Sequence, residues 1–153
     1  SHTYAADTTA EGFAASREHR AFGGFSLGAV TTWYQFIYNL EYIKYFLPMS
    51  GDCWITGTYG GLYHPVETVD YLEQMLESGG WQEQDFRIYQ GIGTSDPIWD
   101  QTDSQIQEMF SRERFTPENL HYAIIENGRH DINACERYLY HGLLDFFGQK
   151  EGT

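Results

Sequence analysis

The stretch AFGGFSLGAV, residues 21–30, restricts the fold more than any other part of the chain. A short apolar run, Ala21 to Phe25, leads into Gly24-Phe25-Ser26-Leu27-Gly28. An apolar segment at helical spacing follows, carrying Val30, Trp33, Phe36, Ile37 and Leu40. Strand, G-x-S-x-G turn and helix together form a setting in which a serine is held on a strained backbone, its hydroxyl standing clear of a sheet edge. Neighbouring chain passes close to such a turn, so only small residues fit two positions before and after the serine. Gly24 and Gly28 meet that need, helped by Gly23 and Ala29. The helix brings its positive end beneath the serine, which places the Leu27 N–H to meet a developing oxyanion. An ordinary strand-to-helix turn can carry the same five residues, so the meaning of Ser26 rests on what stands later in the chain.

The later chain alternates. Leu27 to Leu40 reads as a helix, although its Val-Thr-Thr run is poor for helix propensity and needs tertiary support. Tyr45 to Met49 reads as a second strand despite Pro48, and SGDCWITGTYGGLYHP, 50–65, as a long glycine-rich, aromatic loop. Val66, Val69, Leu72 and Leu76 mark a helix that stops at Gly79-Gly80. Phe86 to Tyr89 is a third strand, and Ile106, Met109 and Phe110 mark the next helix. Leu120 to Ile125 is a fourth strand. A last helix is expected to start at the capping pair Asn133 and Glu136 and to turn Leu139, Leu143, Phe146 and Phe147 inward. Such an order predicts an α/β fold, a parallel sheet covered by helices. The 153 residues suffice for one domain with a substantial core.

Nine basic residues against 22 acidic ones give a formal charge of −13, a surface that repels phosphate backbones and excludes nucleic acid as the natural partner. No apolar run approaches the roughly 18 residues of a membrane span, and no basic-then-apolar leader opens the sequence. Cys53 and Cys135 are too few for a disulfide scaffold, and free thiols are the favoured state. No His, Cys or Asp cluster has metal-ligand spacing, so no metal is expected. Aromatics reach 17%, which suits sugar or aryl binding as well as ordinary packing.

Partners for Ser26 stand downstream in the order serine, acid, histidine. Asp96 follows the third strand in GTSD, and His130 follows the fourth in ENGRHD. Both are carboxyl ends of strands, where open α/β sheets place their chemistry. Asp100 and Asp103 compete with Asp96, which is preferred as the first acid after the strand. Of the other histidines, His121 falls within a strand and His141 within the last helix. His64, at the end of the aromatic loop, is the serious rival to His130.

At these residues the sequence resembles a known family. RAFGGFSLGAVTTWY, FLPMSGDCW, GTSDPIW and the histidine loop before a tyrosine-rich helix closely resemble carbohydrate esterase family 1. More narrowly, they resemble the feruloyl esterase domains attached to bacterial xylanases. The resemblance runs from about Ser1 to Phe147. It implies an α/β-hydrolase fold, mostly parallel with helices on both faces, and a cofactor-free serine esterase of secreted origin acting on feruloylated plant cell-wall polysaccharide. It also implies a catalytic triad of Ser26, Asp96 and His130, with Leu27 supplying half of the oxyanion hole. Asp52 and Trp54 match a loop bordering the substrate, though a turn-capping Asp52 with Trp54 packed beneath it is the simpler reading. An acetylxylan esterase, an acyltransferase or a thioester hydrolase on the same fold, and a non-catalytic carbohydrate-binding module, are the alternatives. The resemblance further implies that residues 1–153 form the carboxyl-terminal part of one domain, with the strands before the elbow and a second oxyanion donor expected from elsewhere in the polypeptide or from a partner chain.

Overall fold

The computed structural model describes residues 9–148; part of the polar amino-terminal segment, residues 1–8, lies outside them. Four parallel strands, β1 (Ala21–Phe25), β2 (Tyr45–Met49), β3 (Arg87–Gly93) and β4 (Leu120–Ile125), lie side by side in chain order. The helices are α1 (Ala10–Ala15), α2 (Leu27–Tyr38), α3 (Gly60–Tyr63), α4 (Pro65–Ser78), α5 (Trp99–Phe110) and α6 (Ile132–Phe147).

Side-chain alternation splits the core between the two sheet faces. Phe46, Ile88 and Leu120 pack with Trp33 and Phe36 of α2, Leu72 and Leu76 of α4, and Ile106 and Met109 of α5. Leu47, Met49 and Tyr89 point the other way, to Ala134, Tyr138 and Phe146 of α6. Each fully buried large apolar side chain contributes about 2 kcal/mol, so the first face, with three helices over it, carries most of the stabilisation. Arg87 at the start of β3 grips Asp145 of α6 through two 2.6 Å hydrogen bonds, anchoring the helix on the second face.

The β-branched start of α2 is resolved by local bonding. Thr31 and Thr32 donate back to the carbonyls of Leu27 and Gly28, and Thr32 is wholly buried. Pro65 opens α4 at a position where its missing N–H costs nothing.

Several expectations need correction. The stretch 50–65 is not all loop, because α3 forms within it. Strand β3 runs to Gly93 rather than stopping at Tyr89; its glycines disguised it as loop, but each marks a close approach of other chain. The last helix is capped by Asp131, which accepts from the Ala134 N–H, not by Asn133 and Glu136. Its inward stripe is Ala134, Tyr138, Gly142 and Phe146, while Leu139, Leu143 and Phe147 stay more than two-fifths exposed. Gly142 lets the helix approach Leu47 closely, which rotates that stripe inward. Both cysteines are free thiols, as the sequence suggests.

Among the described residues strand β1 is an edge and pairs only with β2. By register Ala21, Gly23 and Phe25 share the face of Tyr45, Leu47 and Met49, but α6 packs over β2 and β3, so Ala21 and Gly23 remain exposed.

Candidate active site

Ser26 stands between β1 and α2 with φ 61° and ψ −115°, a left-handed backbone for a residue with a side chain. That conformation costs on the order of 1–3 kcal/mol and persists only where the surroundings fix it. Here the Ser26 N–H donates to the Met49 carbonyl at 2.9 Å, and the Ser26 carbonyl accepts from Ala29. A Cβ on Gly24 would fall 2.3 Å from the Gly28 oxygen, and one on Gly51 would fall 2.8 Å from the Ser26 oxygen. Glycine at these points is therefore a condition of the turn. Leu27 is the first residue of α2, and the first N–H groups of a helix have no acceptor within it.

Parallel strands bring three loops to one edge. His130 Nε2 lies 2.9 Å from Ser26 Oγ, and His130 Nδ1 lies 3.0 Å from both carboxylate oxygens of Asp96. The Asp96 side chain is fully buried, and Oδ1 also accepts from the Ile98 N–H at 2.8 Å. The imidazole is about a quarter exposed (26%) and lies against the Phe25 ring at 4.6 Å. The acid and histidine loops are bonded to one another. Thr94 N–H donates to Ile125 O, Ser95 N–H to Gly128 O, and Asn127 N–H to Thr94 Oγ1. Asp96 and His130 are thus fixed relative to each other before any ligand arrives. A buried carboxylate bonded to one imidazole nitrogen, with the other nitrogen facing a serine hydroxyl, is an arrangement able to draw off the hydroxyl proton.

The competing residues lie elsewhere. Asp103 accepts from the Tyr122 hydroxyl at 2.8 Å, and His64 is exposed at the amino end of α4. His121 stacks on Tyr89 and sits 3.4 Å from Asp145, away from the serine.

Asp52 is almost completely buried. One oxygen accepts from the Gly61 N–H at 2.8 Å and the other from Trp54 Nε1 at 3.0 Å. Burial raises its pKa, and those two donors oppose the rise. The carboxylate thereby fixes the half-buried Trp54 ring, which packs edge-on to Tyr59 at 5.4 Å. The Tyr34 hydroxyl donates to the Trp54 carbonyl and braces the same loop from α2, a support that sequence spacing did not single out.

The parallel sheet, the strained strand-to-helix serine and the helices on both faces define an α/β-hydrolase fold. No family model matches the sequence. The chain is 31% identical over 151 residues to endo-1,4-β-xylanase Y of Acetivibrio thermocellus, covering 95% of this chain and 14% of that protein. A mutant feruloyl esterase module from Clostridium thermocellum complexed with sinapinate superposes with a TM-score of 0.81 at 28% identity, covering 99% of this chain and 53% of that one. The enterobactin esterase FES of Shigella flexneri, at 20% identity and a TM-score of 0.60, shares the fold over 86% of this chain and 32% of its own. The chain spans about half the length of the feruloyl esterase module it resembles.

Proposed function

We propose that this chain carries the catalytic triad of a secreted serine esterase that releases hydroxycinnamic acids, ferulic acid foremost, from feruloylated arabinoxylan. The observation that carries the reading is the continuous relay from Ser26 Oγ through His130 to buried Asp96. The similar module with sinapinate supports an aryl-acrylate acyl group, and the xylanase relative supports a xylan setting. Residues 1–153 are then the carboxyl-terminal part of one α/β-hydrolase domain, whose remaining strands extend the sheet from the free edge of β1 and provide the second oxyanion donor. The open β1 edge and the exposed Leu139, Leu143 and Phe147 support this reading.

In the first half-reaction His130 Nε2 takes the Ser26 proton as Oγ bonds to the ester carbonyl carbon. The carbonyl oxygen becomes an anion beside the Leu27 N–H. The bond to the sugar oxygen breaks, and His130 returns its proton to that oxygen. Water, deprotonated by the same histidine, then attacks the acyl-enzyme, and Ser26 recovers its proton as the acid departs. Trp54 offers its ring to the acyl group, and Asp52 holds that ring in place.

The test compares methyl ferulate, acetylated xylan and a short-chain thioester as substrates for the polypeptide carrying the completed sheet, with Ser26→Ala as control. Feruloyl turnover that vanishes in Ser26→Ala supports the proposal. Preference for the acetyl ester or the thioester would keep the triad and replace the substrate. Sugar binding without turnover or organophosphonate labelling of Ser26 would instead indicate a binding module.

A further inference from the structure

Helices α2 and α4 cover the same sheet face, and a groove of about 330 Å³ runs between them at the surface. Tyr38 and Tyr71 line it, with exposures of 62% and 38%. Buried Ile37 and half-buried Met75 form its floor, and Gln74 and Ser78 add an amide and a hydroxyl. Tyrosine rings left this open to water present apolar area with a polar tip, and such clusters mark binding surfaces.

The lining defines the ligand chemistry. None of the groove residues is charged. Helix α2 carries no charged residue, and α4 carries Glu67, Asp70, Glu73 and Glu77 without a basic one, so the surroundings repel anions. Asp70 and Glu73 are already held by Arg112, which leaves less charge to attract a basic partner. Aromatic faces beside neutral hydrogen-bonding groups match a neutral molecule with apolar faces and hydroxyl edges, which is a sugar ring.

The groove is also continuous with the loop that follows β2. Tyr34, one helical turn before Tyr38, lies parallel to it, with ring planes 2° apart and centroids at 6.3 Å. The Tyr34 hydroxyl donates to the Trp54 carbonyl at 3.1 Å, and Trp54 packs on Tyr59. Aromatic side chains therefore lead from Trp54 along α2 to Tyr38 and Tyr71. Tyr38 ends α2, a 12-residue helix that begins at the serine turn, so it stands about 18 Å along the helix axis from that turn. A small ester at Ser26 does not reach this far, whereas a polymer does. The groove opens on the α4 side of α2, and strands joining the free edge of β1 would extend the sheet on the other side and leave it open.

We propose that the Tyr38–Tyr71 groove is a secondary binding site for the unesterified main chain of the polysaccharide, a neutral pentose polymer, held there while a feruloylated branch reaches Ser26. The proposal rests on the esterase reading above and adds to it a second contact with the same substrate.

The test uses the polypeptide carrying the completed sheet, with Tyr38→Ala and Tyr71→Ala singly and together. Binding is read with Ser26→Ala as the parent, by retardation in native gels containing de-esterified arabinoxylan. We expect the parent to be retarded, its affinity to fall about fivefold in each single variant, and retardation to vanish in the double variant. Polygalacturonate, an anionic polymer, should retard none of them. With Ser26 intact, KM on feruloylated arabinoxylan should rise by the same factors, while kcat and both constants on methyl ferulate stay unchanged. Retardation or polymer KM that is unaltered in the double variant would overturn the proposal. An equal loss on methyl ferulate would overturn it as well, marking rings that support the Trp54 loop. So would equal retardation by polygalacturonate, or a dimer in sedimentation that Tyr38→Ala dissociates. Tyr38→Ala decides alone should Tyr71→Ala not fold. A parent that binds arabinoxylan through the groove but releases no ferulate would instead refute the esterase reading and uphold the sugar site.

Discussion

Gly93 and Gly128 lie in backbone contact, so that a Cβ on Gly93 would come 2.2 Å from the Gly128 carbonyl oxygen. One glycine ends the strand that leads to Asp96, and the other sits two residues before His130. Both colliding groups are main chain, so neither can swing aside. Gly93→Ala is therefore expected to push the two loops apart, and a misplacement of about 1 Å costs roughly 100-fold in rate. The measurement is kcat on methyl ferulate alongside circular dichroism. A folded Gly93→Ala protein with near-normal kcat would show that the loop spacing is not critical.

Asp96 holds His130 through Nδ1, and among the described residues no other side chain donates a hydrogen bond to its carboxylate. Asp96→Asn keeps the shape but presents an amide to the same nitrogen and favours the wrong tautomer, so kcat should drop about 10⁴-fold. On the proposed mechanism only a neutral imidazole can accept the Ser26 proton, so activity should rise with pH on the acid side. A rate independent of pH on the acid side would remove His130 from the chemistry.

The two thiols differ. Burial pushes Cys53 up to about 12, and Cys135 is raised less strongly at a half-buried site. The thiolate is the reactive form, so near neutral pH iodoacetamide should modify Cys135 slowly and leave Cys53 untouched until the chain unfolds. Peptide mapping reads this directly, and early modification of Cys53 would mean that the loop around Asp52 opens.

Tyr138 bears on alkaline stability. Its pKa in the folded chain is raised to about 12, chiefly by burial, against roughly 10 for a free phenol. The unfolded chain therefore loses the proton first. The stabilisation is complete below the free value and is lost as pH climbs through about 12. Other raised tyrosines, among them Tyr89 and Tyr122, add to the effect. Denaturant melts across that interval should show Tyr138→Phe losing less stability than the parent, and parallel losses would contradict the assignment.

The free edge of β1 and the apolar outer stripe of α6 predict that the 153-residue chain by itself self-associates. Sedimentation should show mass rising with concentration, and a lysine at Gly23 should reduce it. A monomer at all concentrations would argue against an extended sheet.

Much of this architecture was written locally. Apolar runs with turn residues fixed β1, β2 and β4 to the residue, and Ser26, Asp96 and His130 stood out because chain order and strand ends are one-dimensional facts. Where the sequence misled, the deciding partner was distant. Gly91 and Gly93 weaken strand propensity, yet β3 continues through them because Tyr138 and Gly128 need the space. Leucine spacing pointed α6 inward along Leu139 and Leu143, but Gly142 against Leu47 turned the helix onto Tyr138.

The sequence by itself determined the alternation of strands and helices, the strained serine turn and the placing of Ser26, Asp96 and His130 just past strand ends, since each depends on residue type at short range. Only the tertiary structure decided that imidazole, hydroxyl and carboxylate lie within hydrogen-bond reach and that Asp52 is buried and holds the Trp54 ring. Those relations join residues 34 to 104 positions apart, or fix which face of an element turns inward, and close packing sets them to within an ångström.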